Sequence, residues 1–228
     1  REVRRGNNSA FSAALREELD KCLKEGNQAI LFLNRRGYSQ TVICKECGYV
    51  AKCEACDVSL TYHRDEDCLK CHYCGARYRV PTVCPDCGGR KLSYAGTGTQ
   101  RIAAELEKLY PSARVLRMDN DTTSGKEGHY KILKAFGEKR ADILVGTQMI
   151  AKGHDFPSVT LVGILDADMS LHFSDYRSGE RTFQLITQVA GRSGRAEEKG
   201  KVVLQTFSPE NDVLRYAVAY DYEGFYQN

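Results

Sequence analysis

No Gly-x-x-x-x-Gly-Lys-Ser/Thr segment occurs anywhere in these 228 residues, and no Asp-Glu-x-His or comparable acidic motif. The first absence excludes the glycine loop and lysine that cradle nucleotide phosphates, the second the usual carboxylate support for Mg²⁺. A complete ATPase site built by this chain alone is therefore excluded. Long apolar runs are also missing: none approaches the roughly 20 residues of a membrane helix, and no charged-then-apolar leader opens the chain. The first residue is Arg1 rather than Met and the last are Tyr-Gln-Asn, which suggests a piece cut from a longer protein. Excess charge of one sign is lacking too, since the formal net charge is only +3.

Cysteine, by contrast, is concentrated. Four Cys-x-x-Cys pairs, Cys44/Cys47, Cys53/Cys56, Cys71/Cys74 and Cys84/Cys87, fall within 44 residues. Two intervening residues let one tight turn aim both sulfurs at a single metal, so eight such thiols are ligands for two tetrahedral Zn²⁺ ions. Gly48, Gly75 and Gly88 follow the second cysteine in three pairs, where positive φ closes the knuckle, and Asp57 follows in the other. The rival is a disulfide framework, but paired thiols used for metal favour a reducing cytoplasm. Four pairs allow three pairings, so spacing alone does not fix which knuckles share a metal, but it favours one of them. Five residues between the first and second pairs are tight for wrapping one ion, whereas fourteen between the second and third form a comfortable loop. Nesting follows: Cys53, Cys56, Cys71 and Cys74 on one zinc, Cys44, Cys47, Cys84 and Cys87 on the other. Cys68 is a spare thiol, and His63 and His72 are not needed. A closed Cys₄ site has no open position for catalysis. Eight thiolates and two Zn²⁺ bring the net charge to about −1, so nucleic-acid affinity cannot rest on bulk charge. It would need local clusters such as Arg35 with Arg36, or Arg177 with Arg181, which are otherwise solvated surface.

Around this segment the pattern is α/β. Leu15, Leu19, Cys22 and Leu23 recur at helical spacing among charges, Gly26 ends that helix, and Ala29–Leu33 is a continuous apolar run of a buried strand. Helices are expected over 99–109, with Ile102, Leu106 and Leu109 as core stripe, then over 126–136, 180–189 and 211–220. Strands are expected over 115–118, 143–145, 159–165 and 202–207. Strands alternating with helices give a parallel sheet with helices on both faces. Residues 41–93, poor in aliphatics, form a metal-dependent insertion between a first part (1–40) and the remainder (94–228) of that α/β unit.

One further stretch carries chemistry: Gln188-Val-Ala-Gly-Arg192-Ser-Gly-Arg195. If the helix continues through it, Gln188, Arg192 and Arg195 share one face, and two guanidiniums side by side suit bidentate capture of phosphate oxygens. The alternative is a basic surface turn.

This stretch resembles motif VI of superfamily 2 helicases, found in the second of two RecA-like lobes. Asp142-Ile-Leu-Val-Gly-Thr-Gln-Met-Ile-Ala-Lys-Gly-His-Asp-Phe-Pro157 resembles motif V, and Ala29-Ile-Leu-Phe-Leu-Asn-Arg-Arg-Gly-Tyr38 resembles motif IV. With the cysteines placed between them, and with Asp166-Ala-Asp-Met-Ser-Leu, Arg177, Glu180 and Arg181, the chain is similar throughout to the family of primosomal replication-restart helicases. Ser174 departs from the family pattern, which has proline there. The resemblance implies a RecA-like α/β lobe with an inserted two-zinc Cys-rich subdomain, and the same nested zinc pairing. It implies Arg195 as arginine finger, Arg192 as γ-phosphate partner, Gln188 coupling phosphate to the lobe interface, and Gly153 and Asp155 facing nucleotide and cleft. Thr147 would contact a DNA phosphate, as would Arg35, Arg36 and the backbone of Gly98 and Thr99; the plainer reading of the latter is a glycine turn with Thr99 as N-cap. ATP and Mg²⁺ would be held mainly by an absent first lobe. The parent would be a 3′→5′ DNA helicase acting at stalled forks, with single-stranded and forked DNA, primosome proteins and single-strand DNA-binding protein as partners. This chain alone would be inactive. The competing class is a non-catalytic zinc-ribbon scaffold that binds nucleic acid or protein, and the zincs themselves are open to being staples only.

Overall fold

The computed structural model describes residues 7, 9–33, 41–63, 66–93, 98–119, 122–123, 128–147, 150, 156–171, 177–192 and 200–227. Helix α1 (Ala13–Lys24) begins where the Ser12 hydroxyl accepts a hydrogen bond from the Leu15 N–H, and carries Lys21 and Lys24 at its negative end. Strand β1 (Gln28–Leu33) follows. The cysteine-rich stretch supplies β2 (Ile43–Cys44), β3 (Thr61–His63), β4 (Cys68–Lys70), β5 (Arg77–Arg79) and β6 (Leu92–Ser93). The chain then forms α2 (Thr99–Leu109), β7 (Val115–Met118), α3 (Gly128–Gly137), β8 (Ile143–Gly146) and β9 (Val159–Leu165). It ends with α4 (Asp168–Leu171), α5 (Ser178–Ala190), β10 (Lys201–Leu204), α6 (Asp212–Ala219) and α7 (Tyr222–Gln227).

Five strands make one wholly parallel sheet in the order β10-β9-β1-β8-β7. All six residues of β1 are buried, as its central place requires. Period-two alternation divides them: Ala29, Leu31 and Leu33 pack under Leu15 and Leu19 of α1 and Ile102 and Leu106 of α2. Ile30 and Phe32 point the other way, to Phe136 of α3, Phe183 and Ile186 of α5 and Leu214 of α6. Helices therefore cover both faces, and the expected α/β architecture holds. Gln28 ties the α3–β8 turn to the start of β1, its side-chain amide donating to the carbonyls of Phe136 and Ala141 at 2.8 and 2.6 Å. Because the strands are parallel, the segments following β1, β7, β8 and β9 all leave from one edge of the sheet, the edge where such folds bind ligands.

The cysteine-rich stretch forms an antiparallel pair, β2 with β6, and a three-stranded antiparallel sheet, β3-β4-β5. Its core is small: Val42, Ala51, Leu60 and Leu69 with Cys53 and Cys71.

Several expectations are corrected. Leu109 is exposed rather than part of the α2 stripe, because the chain leaves helical geometry at Tyr110, which packs over the core instead. Strand β10 stops at Leu204 rather than reaching Phe207, since residues 206–208 turn away to bond Asp168. Helix α5 ends at Ala190 with Gly191 as its cap, so it does not carry Gln188 and Arg192 along a continuing face. Gly98, not Thr99, is the cap of α2. Helices α4 and α7 and the short strands of the cysteine-rich stretch were not anticipated from periodicity. No helix among the described residues is long and apolar enough to cross a membrane.

Candidate metal centres and sheet-edge site

The four cysteine pairs adopt one repeated conformation. In each, the N–H of the first cysteine donates to a carbonyl five residues on, at 2.8–2.9 Å: Cys44 to Tyr49, Cys53 to Val58, Cys71 to Ala76 and Cys84 to Gly89. The first cysteine's carbonyl in turn accepts from the residue after the second, Gly48, Asp57, Gly75 or Gly88, also at 2.8–2.9 Å. Those four residues have φ of 84°, 52°, 75° and 67°, the positive-φ closure anticipated from glycine and aspartate at these positions.

The knuckles bring their sulfurs together in the nested arrangement, Cys44, Cys47, Cys84 and Cys87 in one quartet and Cys53, Cys56, Cys71 and Cys74 in the other. Sγ–Sγ separations are 3.8 Å for Cys44–Cys87, 3.5 Å for Cys47–Cys84 and 3.7 Å for Cys53–Cys74. A tetrahedron with Zn–S of about 2.3 Å has edges of about 3.8 Å, so the quartets fit zinc. A disulfide, at about 2.05 Å, they do not fit. His63 and His72 stand outside both quartets with their rings 5.3 Å apart, and Cys22 is a buried core thiol beside Thr160. Cys68 lies on β4, with the Arg77 guanidinium 3.8 Å from its sulfur.

Electrostatics favour a dication in each quartet. Burial pushes the Cys47 thiol up to about 12, and hydrogen bonding to Cys74, with burial, does the same to Cys56. Four thiolates this close are stable only around a positive ion. Cys53 is held down to about 6, chiefly by the Tyr78 hydroxyl 3.3 Å from its sulfur. That hydroxyl accepts from the Glu54 N–H at 3.2 Å, which directs its proton to the thiolate and locks the ligand.

At the sheet edge, Thr147 follows β8 half-buried, its N–H donating to the Met118 carbonyl at 3.3 Å. Gly146 is required there: a Cβ would sit 2.5 Å from the Met118 carbonyl oxygen and collide with Ile150. Asp119, just past β7, is buried and binds the Thr99 hydroxyl, the Arg117 guanidinium (2.7 Å) and the Thr122 N–H (2.9 Å). Burial alone would raise its carboxyl, but these hydrogen bonds outweigh it and hold the group down to about 2. The Thr99 side chain is thus committed to Asp119, leaving the backbone amides of Gly98 and Thr99 to offer a ligand at the start of α2. The Asp119 carboxylate contributes stability that is complete above about pH 4 and lost as pH falls through about 2, worth about 2 kcal/mol. Acid titration of the folding midpoint should therefore fall less steeply between pH 4 and 2 in Asp119→Asn than in the parent, and identical slopes would remove Asp119 from the account.

Gln188 is exposed on the last turn of α5, and Arg192 lies half-buried in the turn beyond it, its N–H bonded to the Val189 carbonyl at 3.1 Å. Arg195, Gly153, Asp155, Arg35 and Arg36 lie outside the described residues. Sequence reasoning missed Tyr78, Asp119 and Asp168. Asp119 directly follows β7, and Asp168 lies in the Asp166-Ala-Asp-Met-Ser-Leu stretch just past β9, but neither position announces a buried carboxylate.

Residues 91–197 match the model of the helicase conserved C-terminal domain, and residues 53–79 match that of the PriA DNA helicase Cys-rich region domain. A parallel α/β unit of that type with two inserted Cys₄ centres defines the class: a helicase C-terminal lobe bearing a zinc ribbon. Over 100% of its length the chain is 56% identical to the replication restart protein PriA of Bacillus subtilis, and over 98% it is 46% identical to that of Synechocystis. The chain belongs to the PriA family of replication restart proteins. It spans 28% of the Bacillus and 27% of the Synechocystis protein. Among solved structures, the C-terminal domain of the DEAD-box protein Dbp5 aligns with 91% of this chain and 80% of that one, at 14% identity and a TM-score of 0.44, a likeness too loose to build on.

Proposed function

We propose that this chain is the second motor lobe and zinc module of a cytoplasmic, ATP-dependent 3′→5′ DNA helicase that restarts replication at stalled forks and assembles a primosome there. Residues 1–40 and 94–228 form the lobe and 41–93 the module. The observation that supports this best is the shared sheet: the segments that resemble helicase motifs IV and V are built on β1 and β8, and those two strands are parallel neighbours. In this reading Arg195 is the arginine finger, Arg192 the γ-phosphate partner and Gln188 their link to the lobe interface. Gly153 and Asp155 face nucleotide, while Thr147, Arg35, Arg36 and the amides of Gly98 and Thr99 hold DNA phosphates. The quartets hold two Zn²⁺, which fold the module and leave no open coordination position. ATP and Mg²⁺ sit mainly on the first lobe. Single-stranded and forked DNA, primosome proteins and single-strand DNA-binding protein are the partners.

The isolated chain should neither turn over ATP in the presence of DNA nor unwind a duplex, and a first lobe supplied in trans should restore turnover. DNA-stimulated hydrolysis by the chain alone would sink the division of labour between the lobes.

A further inference from the structure

Asp168 is 1% exposed and has no part in the chemistry assigned above. Its carboxylate accepts from the Thr206 hydroxyl at 2.7 Å, the Phe207 N–H at 2.9 Å and the Ser208 N–H at 3.1 Å. The Gln205 N–H bonds the Ile164 carbonyl and the Ala167 N–H bonds the Gln205 carbonyl, at 2.9 and 3.1 Å, so this loop is stitched to the end of β9 on both sides. The Ser208 carbonyl then accepts from the N–H of Asn211, the cap residue of α6, at 3.0 Å. Residues 205–208 are therefore a fixed shelf, with one buried carboxylate as its keystone.

The first zinc knuckle rests on that shelf. A Cβ on Gly48, the residue after Cys47, would lie 3.0 Å from the Ser208 Oγ and 3.3 Å from the Phe207 carbonyl oxygen. The same quartet is held at its base by β2 against β6, reinforced by the Lys45 N–H to the Lys91 carbonyl at 2.9 Å. A body attached at a two-residue stem alone swings about it, whereas stem and shelf together fix its orientation. The second quartet is buttressed differently, by the Tyr78 hydroxyl within the three-stranded ribbon.

We infer that Asp168 is a positioning residue for the zinc module: by fixing the 205–208 shelf it docks the first quartet on the parallel sheet, so that module and lobe move as one body. The two zincs are then inequivalent, the first a docking centre and the second the staple of the ribbon. This goes beyond the motor reading and does not depend on it.

The test is zinc release from the zinc-loaded chain to a chromogenic chelator. Asp168→Asn keeps the side chain's shape but turns an NH₂ toward the Phe207 N–H. It should quicken release of one ion by about ten-fold, the equivalent of a lost hydrogen bond to a charged group, and leave the other unchanged. The fast ion should persist when the second quartet is dismantled by Cys53→Ser and Cys74→Ser. Hydrogen exchange should rise at residues 44–49 and stay level at 61–79. Equal acceleration of both ions would mean general destabilisation, and acceleration of neither would mean that docking does not pass through Asp168; each overturns the proposal. If Asp168→Asn fails to fold, Ser208→Tyr wedges the shelf with Asp168 intact and should give the same one-ion pattern, while unchanged release in that variant overturns it.

Discussion

Replacing Arg195 with alanine in the full-length enzyme should lower DNA-dependent ATP turnover by roughly 10³-fold, with little change in KM for ATP. The expectation rests on what phosphoryl transfer demands. Negative charge spreads over the oxygens of the transferring group, and a guanidinium placed there stabilises the transition state more than bound ATP. Gly191 ends α5, so Arg192 sits in a turn rather than on a rigid helical face. Arg192 therefore lies at a helix–turn junction, which a lobe closing over nucleotide can adjust. Arg192→Ala should cost less in kcat and more in KM, because a γ-phosphate contact already made in the ground state contributes binding to both states. Lysine at either position should not rescue, since it lacks the planar fork that grips two oxygens. Unchanged melting of both variants would place the loss in chemistry. Turnover that stays within ten-fold of the parent in Arg195→Ala would instead favour the non-catalytic scaffold.

How much of this was legible depended on which interactions are local. The strands at 28–33 and 159–165 were readable because interior strands of a parallel sheet are buried on both faces and show as apolar runs. The lateral order of the strands was not, since β7 is written before β8 yet takes the outer place, a choice made by packing across the sheet. Zinc nesting was readable from loop lengths and the knuckle residues. The end of β10 was not, because it depends on the Asp168 carboxylate at the start of α4. Asp119 and Asp168 look in sequence like ordinary turn acids, and only burial with several donors reveals them as keystones. Gly48 signalled its positive φ but not that its bare face abuts Phe207 and Ser208. A face shared by Gln188, Arg192 and Arg195 depended on the helix continuing past the expected 180–189, and α5 ends at Ala190, close to that expectation, with Gly191 as its cap.

Stripping both zinc ions should unfold residues 41–93 while the five-stranded sheet survives. The two parts differ in what holds them. The sheet is sandwiched between two clusters of leucine, isoleucine and phenylalanine, many fully buried. The module offers only a few buried aliphatic residues, and four of its buried positions, Cys44, Cys53, Cys71 and Cys84, are ligand cysteines themselves. A segment of about fifty residues with so small a core does not stay folded unaided. Zinc supplies the difference, on the order of 10 kcal/mol or more for each structural site. Chelation at neutral pH should therefore abolish hydrogen-exchange protection at 61–79 and across the knuckles, with the amides of β1, β8 and β9 little changed. Acid should produce the same partial unfolding, since the thiolates must bind protons as they release zinc. A reducing agent alone should do nothing, because no sulfur pair approaches bonding distance. Loss of the first ion should also release the shelf, freeing Gly48 from Ser208, whereas loss of the second should leave that contact in place. Protection that persists at 61–79 after metal analysis confirms an empty protein would mean that the ribbon folds on its own, and that the eight cysteines serve something other than its stability.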